Sequence, residues 1–91
     1  MDHSCHLNSD MTILQARSLV ERCVPVGATE RAAKQFLRRN HLDFRTEDDG
    51  RRVIAIISKP GVPEIRGSIT VEFSLKHRVS YRALHPFVQL P

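Results

Sequence analysis

Between Ser68 and Leu75 the chain alternates in strict two-residue steps: Ile69, Val71, Phe73 and Leu75 interleave with Ser68, Thr70, Glu72 and Ser74. A pleated strand sends successive side chains to opposite faces, so this pattern predicts a strand with one buried face and one wet face. Arg52 to Ser58 is apolar on both faces, which predicts a central strand. Val79 to His85 supplies a further strand, paired back across Lys76-His77-Arg78. Leu42 to Thr46 reads as a short edge strand with Leu42 and Phe44 turned inward. Glu47-Asp48-Asp49-Gly50 closes a hairpin, because Asp-Gly tolerates the positive φ of a tight turn. The two prolines of Pro60-Gly61-Val62-Pro63 cannot donate to a ladder, so that stretch predicts an exposed excursion.

A sheet with one apolar face needs a cover, and the upstream sequence supplies it. Ser9 or Asp10 can cap a helix over Met11 to Cys23, in which Ile13, Ala16, Leu19, Val20 and Cys23 form the apolar stripe. Val24-Pro25-Val26-Gly27 stops it, since proline removes a donor and disfavours helix in the residue before it. Thr29 caps a second helix running to Arg39, with Ala32, Ala33, Phe36 and Leu37 on its apolar face. Asn40 suits a left-handed exit. The reading is an α+β domain: two N-terminal helices packed on one face of a three- to four-stranded antiparallel sheet. It spans residues 10–87, with a disordered tail at 1–9 and a second tail at 88–91. Phe36, Val53, Ile69, Val71, Phe73 and Tyr81 should share one core.

At 91 residues the chain has room for a single two-layer core and none for an enclosed cofactor domain. The net charge of +4 permits an anionic partner, nucleic acid or a membrane surface included. No apolar run approaches the ~18 residues of a membrane span. Residues 1–10 carry neither a basic nor an apolar leader segment, so the expected location is cytoplasmic as written, or envelope and periplasm if a leader precedes. Cys5 and Cys23 can bridge in an oxidising compartment, but their spacing does not require it.

Few residues suggest chemistry. His3, Cys5 and His6 are the densest group of metal-ligand side chains, and a free amine followed by Asp2 and His3 can wrap copper(II) or nickel(II) in a square plane. A closed zinc site needs four ligands, and no second cluster exists. His41, His77 and His85 are isolated. Cys23 on an apolar stripe reads as a small hydrophobe rather than a nucleophile. There is no Gly-x-Ser-x-Gly elbow, phosphate loop or His-Glu-x-x-His. The expectation is a non-enzymatic chain with no cofactor, a small enzyme being the remote alternative.

The basic residues are the clearest partner signal. Arg31, Lys34, Arg38 and Arg39 lie on the outside of the second helix, and Arg51 and Arg52, with Arg45, cluster at the hairpin. Such a patch can attract phosphates of nucleic acid in a salt-dependent way. At 5% aromatic content, however, no rings are interleaved for base stacking. The second candidate is the uncovered sheet face, read as Thr70, Glu72, Ser74, Ser80 and Arg82 with Ile54, Ile56 and Leu84. That face, or a sheet edge, can take a protein partner or a second copy of the chain.

Val24-Pro25-Val26-Gly27-Ala28-Thr29, followed by Ala32, Phe36 and Leu37, resembles the entry to the helical pair of BamE-like (SmpA/OmlA) domains. Ile69 to Leu75 with Val79-Ser80-Tyr81 resembles their closing hairpin, and small bacterial proteins of uncharacterised role share the same layout. The resemblance implies two helices leading into a three-stranded sheet and a protein-interaction or scaffolding role, often in the bacterial envelope. The chain departs from that pattern in lacking an apolar segment before Cys5 and in carrying Lys76-His77-Arg78 at the last hairpin.

Overall fold

The computed structural model describes residues 5–8, 11–59 and 65–86. Helices α1 (Ile13–Cys23) and α2 (Glu30–Arg39) precede strands β1 (Phe44–Glu47), β2 (Arg52–Lys59), β3 (Ile65–Phe73) and β4 (Val79–Pro86). The strands form one antiparallel meander in the order β1-β2-β3-β4. This is the α+β layout read from the sequence. The sheet has one strand more than the family resemblance implies.

Helix α1 begins later than Ser9 or Asp10 would place it. Its cap is Thr12, whose hydroxyl accepts from the Gln15 amide at 3.1 Å while Gln15 accepts from the Thr12 amide at 2.9 Å. This reciprocal box satisfies two donors at once, which a lone upstream cap cannot do. Helix α2 starts as expected, with the Thr29 hydroxyl accepting from the Ala32 amide. Its exit differs: Asn40 has φ −92° and His41, at φ 57°, takes the left-handed position.

Val53, Ala55 and Ile57 of β2, Ile69, Val71 and Phe73 of β3 and Leu84 of β4 are buried on one face. They form a single core with Ala16, Leu19 and Val20 of α1 and Ala33, Phe36 and Leu37 of α2. Ala32 is exposed, so the α2 stripe is narrower than read. β2 alternates too: Ile56 is 53% exposed, and the strand is central through pairing on both edges rather than burial on both faces.

Tyr81, expected in the core, is 45% exposed. The cause is a bulge: Phe73 pairs with Val79 and Glu72 with Tyr81, leaving Ser80 as the extra residue. One unpaired residue reverses the phase of everything after it. Arg82 and Leu84 therefore turn to the helices, while Tyr81 and Ala83 face outward. Leu75 lies beyond the end of β3 and is 80% exposed. At the other end of β3, Gly67 faces Pro86, and a Cβ there would meet the His85 carbonyl oxygen at 2.5 Å, so the close approach of β4 requires glycine.

Residues 5–8, read as part of a free tail, belong to the packed body. Cys5 and Cys23 form a disulfide. Leu7 is buried, and its amide donates to Asn40 Oδ1 at 2.7 Å. Asn40 is itself buried and donates from Nδ2 to the carbonyls of Phe36 at 2.8 Å and Cys5 at 3.1 Å. Closing the 18-residue separation contributes about 3 kcal/mol through the entropy removed from the unfolded chain. The Pro60-Gly61-Val62-Pro63 excursion and the 88–91 tail lie outside the described residues.

Candidate interaction surface

The face of the sheet turned away from the helices is built from three cross-strand rows. Glu47, Arg52, Glu72 and Tyr81 make the row nearest the two hairpin turns; Arg45, Ile54, Thr70 and Ala83 make the next. Ile56, Ser68 and His85 make the third. Strand alternation places all of them on one side, and the bulge at Ser80 brings Tyr81 and Ala83 into register with the apolar residues of β2. The result is a band of Ile54, Ile56, Ala83 and Tyr81 bordered by charge.

That border is internally neutralised. Arg52 lies within 3.3 Å of Glu72 Oε2 and of Asp48 Oδ2 and 3.7 Å from Glu47 Oε1, while Arg45 reaches the other Glu47 oxygen at 3.3 Å. Each partner is partly exposed, so these pairs contribute little to stability and chiefly fix side-chain positions. Beneath the hairpin, a cleft of about 420 Å³ is lined by Asp48, Asp49, Arg51, Arg52, Glu72 and Phe73. Three carboxylates face two guanidiniums there, so the lining carries more acidic than basic groups.

The basic residues picked from the sequence are divided among several places. Lys34 bonds Glu30 at 2.9 Å. This bond, and His77 Nδ1 at 3.3 Å, hold the Glu30 carboxyl below its usual pKa against partial desolvation. Arg38 stacks over the Phe44 ring with its guanidinium carbon 5.4 Å from the centroid. Arg39 lines a cavity with Cys5, His6 and Cys23. Arg31 is exposed on the first turn of α2, and Arg51 and Arg52 sit at the hairpin. Among these, Lys34, Arg38 and Arg52 already hold intramolecular partners.

Arg82, read as a polar residue of the open face, lies instead beside α1. Its Nε donates to the Val24 carbonyl at 3.0 Å and its Nη2 to the Glu21 carbonyl at 3.4 Å, capping the helix C-terminus from the neighbouring strand. The β3–β4 turn is likewise held to the start of α2. Val79 exchanges backbone bonds with Gly27 and Ala28 at 2.8 Å, and the His77 carbonyl accepts from the Glu30 amide at 3.0 Å.

The cysteine readings change once the two sulfurs are joined. Cys5 has no thiolate to offer a metal, and Cys23 is neither a free core hydrophobe nor a nucleophile. Of the copper or nickel group, His3 lies outside the described residues; among those described, no cluster of three metal-ligand side chains occurs. No helix of the described residues is long and apolar enough to cross a membrane. Comparison of the chain with protein-family models, curated proteins and solved structures returns no match.

Proposed function

We propose that this chain is a small non-enzymatic protein-interaction domain that engages its partner through the open face of its sheet. The observation that carries this reading is the band of Ile54, Ile56, Ala83 and Tyr81, uncovered by either helix and bordered by the Arg45–Glu47–Arg52–Glu72 ion network. An apolar centre with a polar rim is the usual anatomy of a protein interface. Tyrosine adds large contact area at low entropic cost and keeps a hydrogen-bonding tip. The layout resemblance to BamE-like domains supports the same class of role.

Size argues for a transient complex. Four strands about 4.8 Å apart and some six residues long present roughly 400 Å², about half of what a standard interface buries on each partner. A Kd in the micromolar range or weaker follows unless the partner also pairs with an edge strand. The Cys5–Cys23 disulfide supports placement in an oxidising compartment, where such bonds persist.

Site-specific photo-crosslinking tests the reading. A crosslinker at position 56 or 81 should capture a defined protein, or a second copy of the chain, in the producing cell. The same group at position 17 or 31 on the helical side should not. Ile56→Glu should abolish capture from position 81. Equal capture from both sides, or none from the sheet face, overturns the proposal.

A further inference from the structure

Leu75 in the β3–β4 turn is 80% exposed, and Val26 in the α1–α2 connection is 59% exposed. The two connections lie at one end of the molecule and are stitched together. The Gly27 amide donates to the Val79 carbonyl and the Val79 amide to the Ala28 carbonyl, each at 2.8 Å. The Glu30 amide donates to the His77 carbonyl at 3.0 Å, and Arg78 Nη1 to the Gly27 carbonyl at 3.0 Å. The turn itself is closed by the Ser74 amide on the Arg78 carbonyl at 2.7 Å. Both aliphatic side chains are therefore held in water by backbone that is tied down on either side.

The same rim is basic. Arg31, Lys76 and Arg78 are exposed on it, and the bond from Arg78 goes to a neutral carbonyl, which leaves its charge uncancelled. Glu30, the acid within the rim, is already engaged by Lys34 and His77. The acidic β1–β2 turn, with Asp48 and Asp49, shares this end but sits at the opposite edge of the sheet. Three strand spacings, roughly 14 Å, separate β1 from β4, more than the screening length of about 8 Å at physiological salt.

Aliphatic tips set among cations suit a partner that is anionic at its surface and apolar just beneath. A nucleic-acid backbone answers the cations and offers nothing to Leu75 or Val26; an anionic bilayer answers both. We propose that the rim formed by the α1–α2 connection and the β3–β4 turn docks on an anionic lipid surface. Leu75 and Val26 enter the boundary between headgroups and acyl chains, while Arg31, Lys76 and Arg78 lie among the lipid phosphates. Two small aliphatic tips are far less than a lipid anchor, so attachment is reversible and sensitive to salt. None of these residues belongs to the band of Ile54, Ile56, Ala83 and Tyr81, so the inference stands apart from the sheet-face reading.

The experiment floats the full chain, disulfide intact, with vesicles of phosphatidylcholine alone or with about one-third phosphatidylglycerol. The anionic vesicles should be preferred about a hundredfold at low salt, each of three cations contributing about fivefold. Lys76→Gln should weaken binding about fivefold, and Arg45→Gln, on β1, less than about twofold. Leu75→Ser should weaken it about tenfold, whereas Leu14→Ser, an exposed leucine at the far end of α1, should change nothing. The chain has no tryptophan, so Leu75→Trp supplies a single reporter. Its emission should shift to the blue on anionic vesicles and be quenched by brominated acyl chains, and that of Leu14→Trp should do neither. Equal binding to neutral and anionic vesicles overturns the proposal, as does binding that Leu75→Ser leaves intact. Displacement by inorganic phosphate at constant ionic strength overturns it in favour of a phosphate site. A duplex oligonucleotide that binds the parent and Leu75→Ser alike, and more tightly than the vesicles do, overturns it in favour of nucleic acid.

Discussion

The side-chain oxygen of Asn40 accepts the Leu7 amide across 33 residues of chain, at 2.7 Å and out of contact with solvent. One buried amide thus closes the end of α2 and seats the N-terminal segment. Asn40→Ala removes three hydrogen bonds and strands the Leu7 N–H and the Cys5 carbonyl. The expected loss is about 2–4 kcal/mol, less than the full sum because water reaches the segment once it loosens. Urea unfolding of oxidised protein checks it, and a loss under about 0.5 kcal/mol contradicts the role assigned to Asn40.

Ile56 and Ile57 are adjacent in sequence and opposite in fate, 53% and 0% exposed. Ile57→Ala should destabilise by about 2–5 kcal/mol through lost burial and the cavity left behind. Ile56→Ala should stay within about 0.5 kcal/mol. Comparable urea midpoints for the two variants would mean that the sheet faces have been assigned the wrong way round.

Arg82 supplies donors to two carbonyls at the end of α1. Arg82→Met keeps most of the packing stem and removes the donors, so about 1–2 kcal/mol should be lost. Hydrogen exchange should show the loss first as fraying of the last turn of α1. Arg17→Met, on the same helix without this contact, is the control.

Glu30 predicts an acid-side effect. Its carboxyl pKa is lowered in the folded protein from the ordinary 4.5, chiefly by the Lys34 bond. The unfolded state therefore binds the proton more readily, and the contribution to stability is present above 4.5 and lost as pH falls through the lower folded value. Being partly exposed, the pair is worth about 0.5 kcal/mol. Glu30→Gln should lower the urea midpoint slightly at pH 6, and the difference from the parent should shrink as pH falls below 4.5. A difference that pH leaves unchanged refutes the assignment.

Much of the fold was legible because periodicity is local. The alternation through Ile69, Val71 and Phe73, and the helical spacing of Ala33, Phe36 and Leu37, each needed only near neighbours to be read. The α1 cap is legible too, as Thr12 and Gln15 at capping-box spacing, but Ser9 and Asp10 just upstream are cap residues of equal standing by type. The candidate surface was half legible. Strand alternation puts Ile54 and Ile56 on it, but alternation without the bulge at Ser80 sends Tyr81 to the core and Arg82 and Leu84 to the open face.

The sequence by itself determined the two helices, the strands and which side of β2 and β3 meets them, because hydrophobic patterning and turn chemistry act over a few residues. Tertiary structure decided the rest. Ser80 becomes an extra residue only against the register of β3, and that one slip carries Tyr81 outward and sends Arg82 to the end of α1. Cys5 meets Cys23, and Asn40 meets Leu7, only in the packed chain. Such contacts join residues far apart along the chain, and no local pattern encodes a distance that packing alone creates.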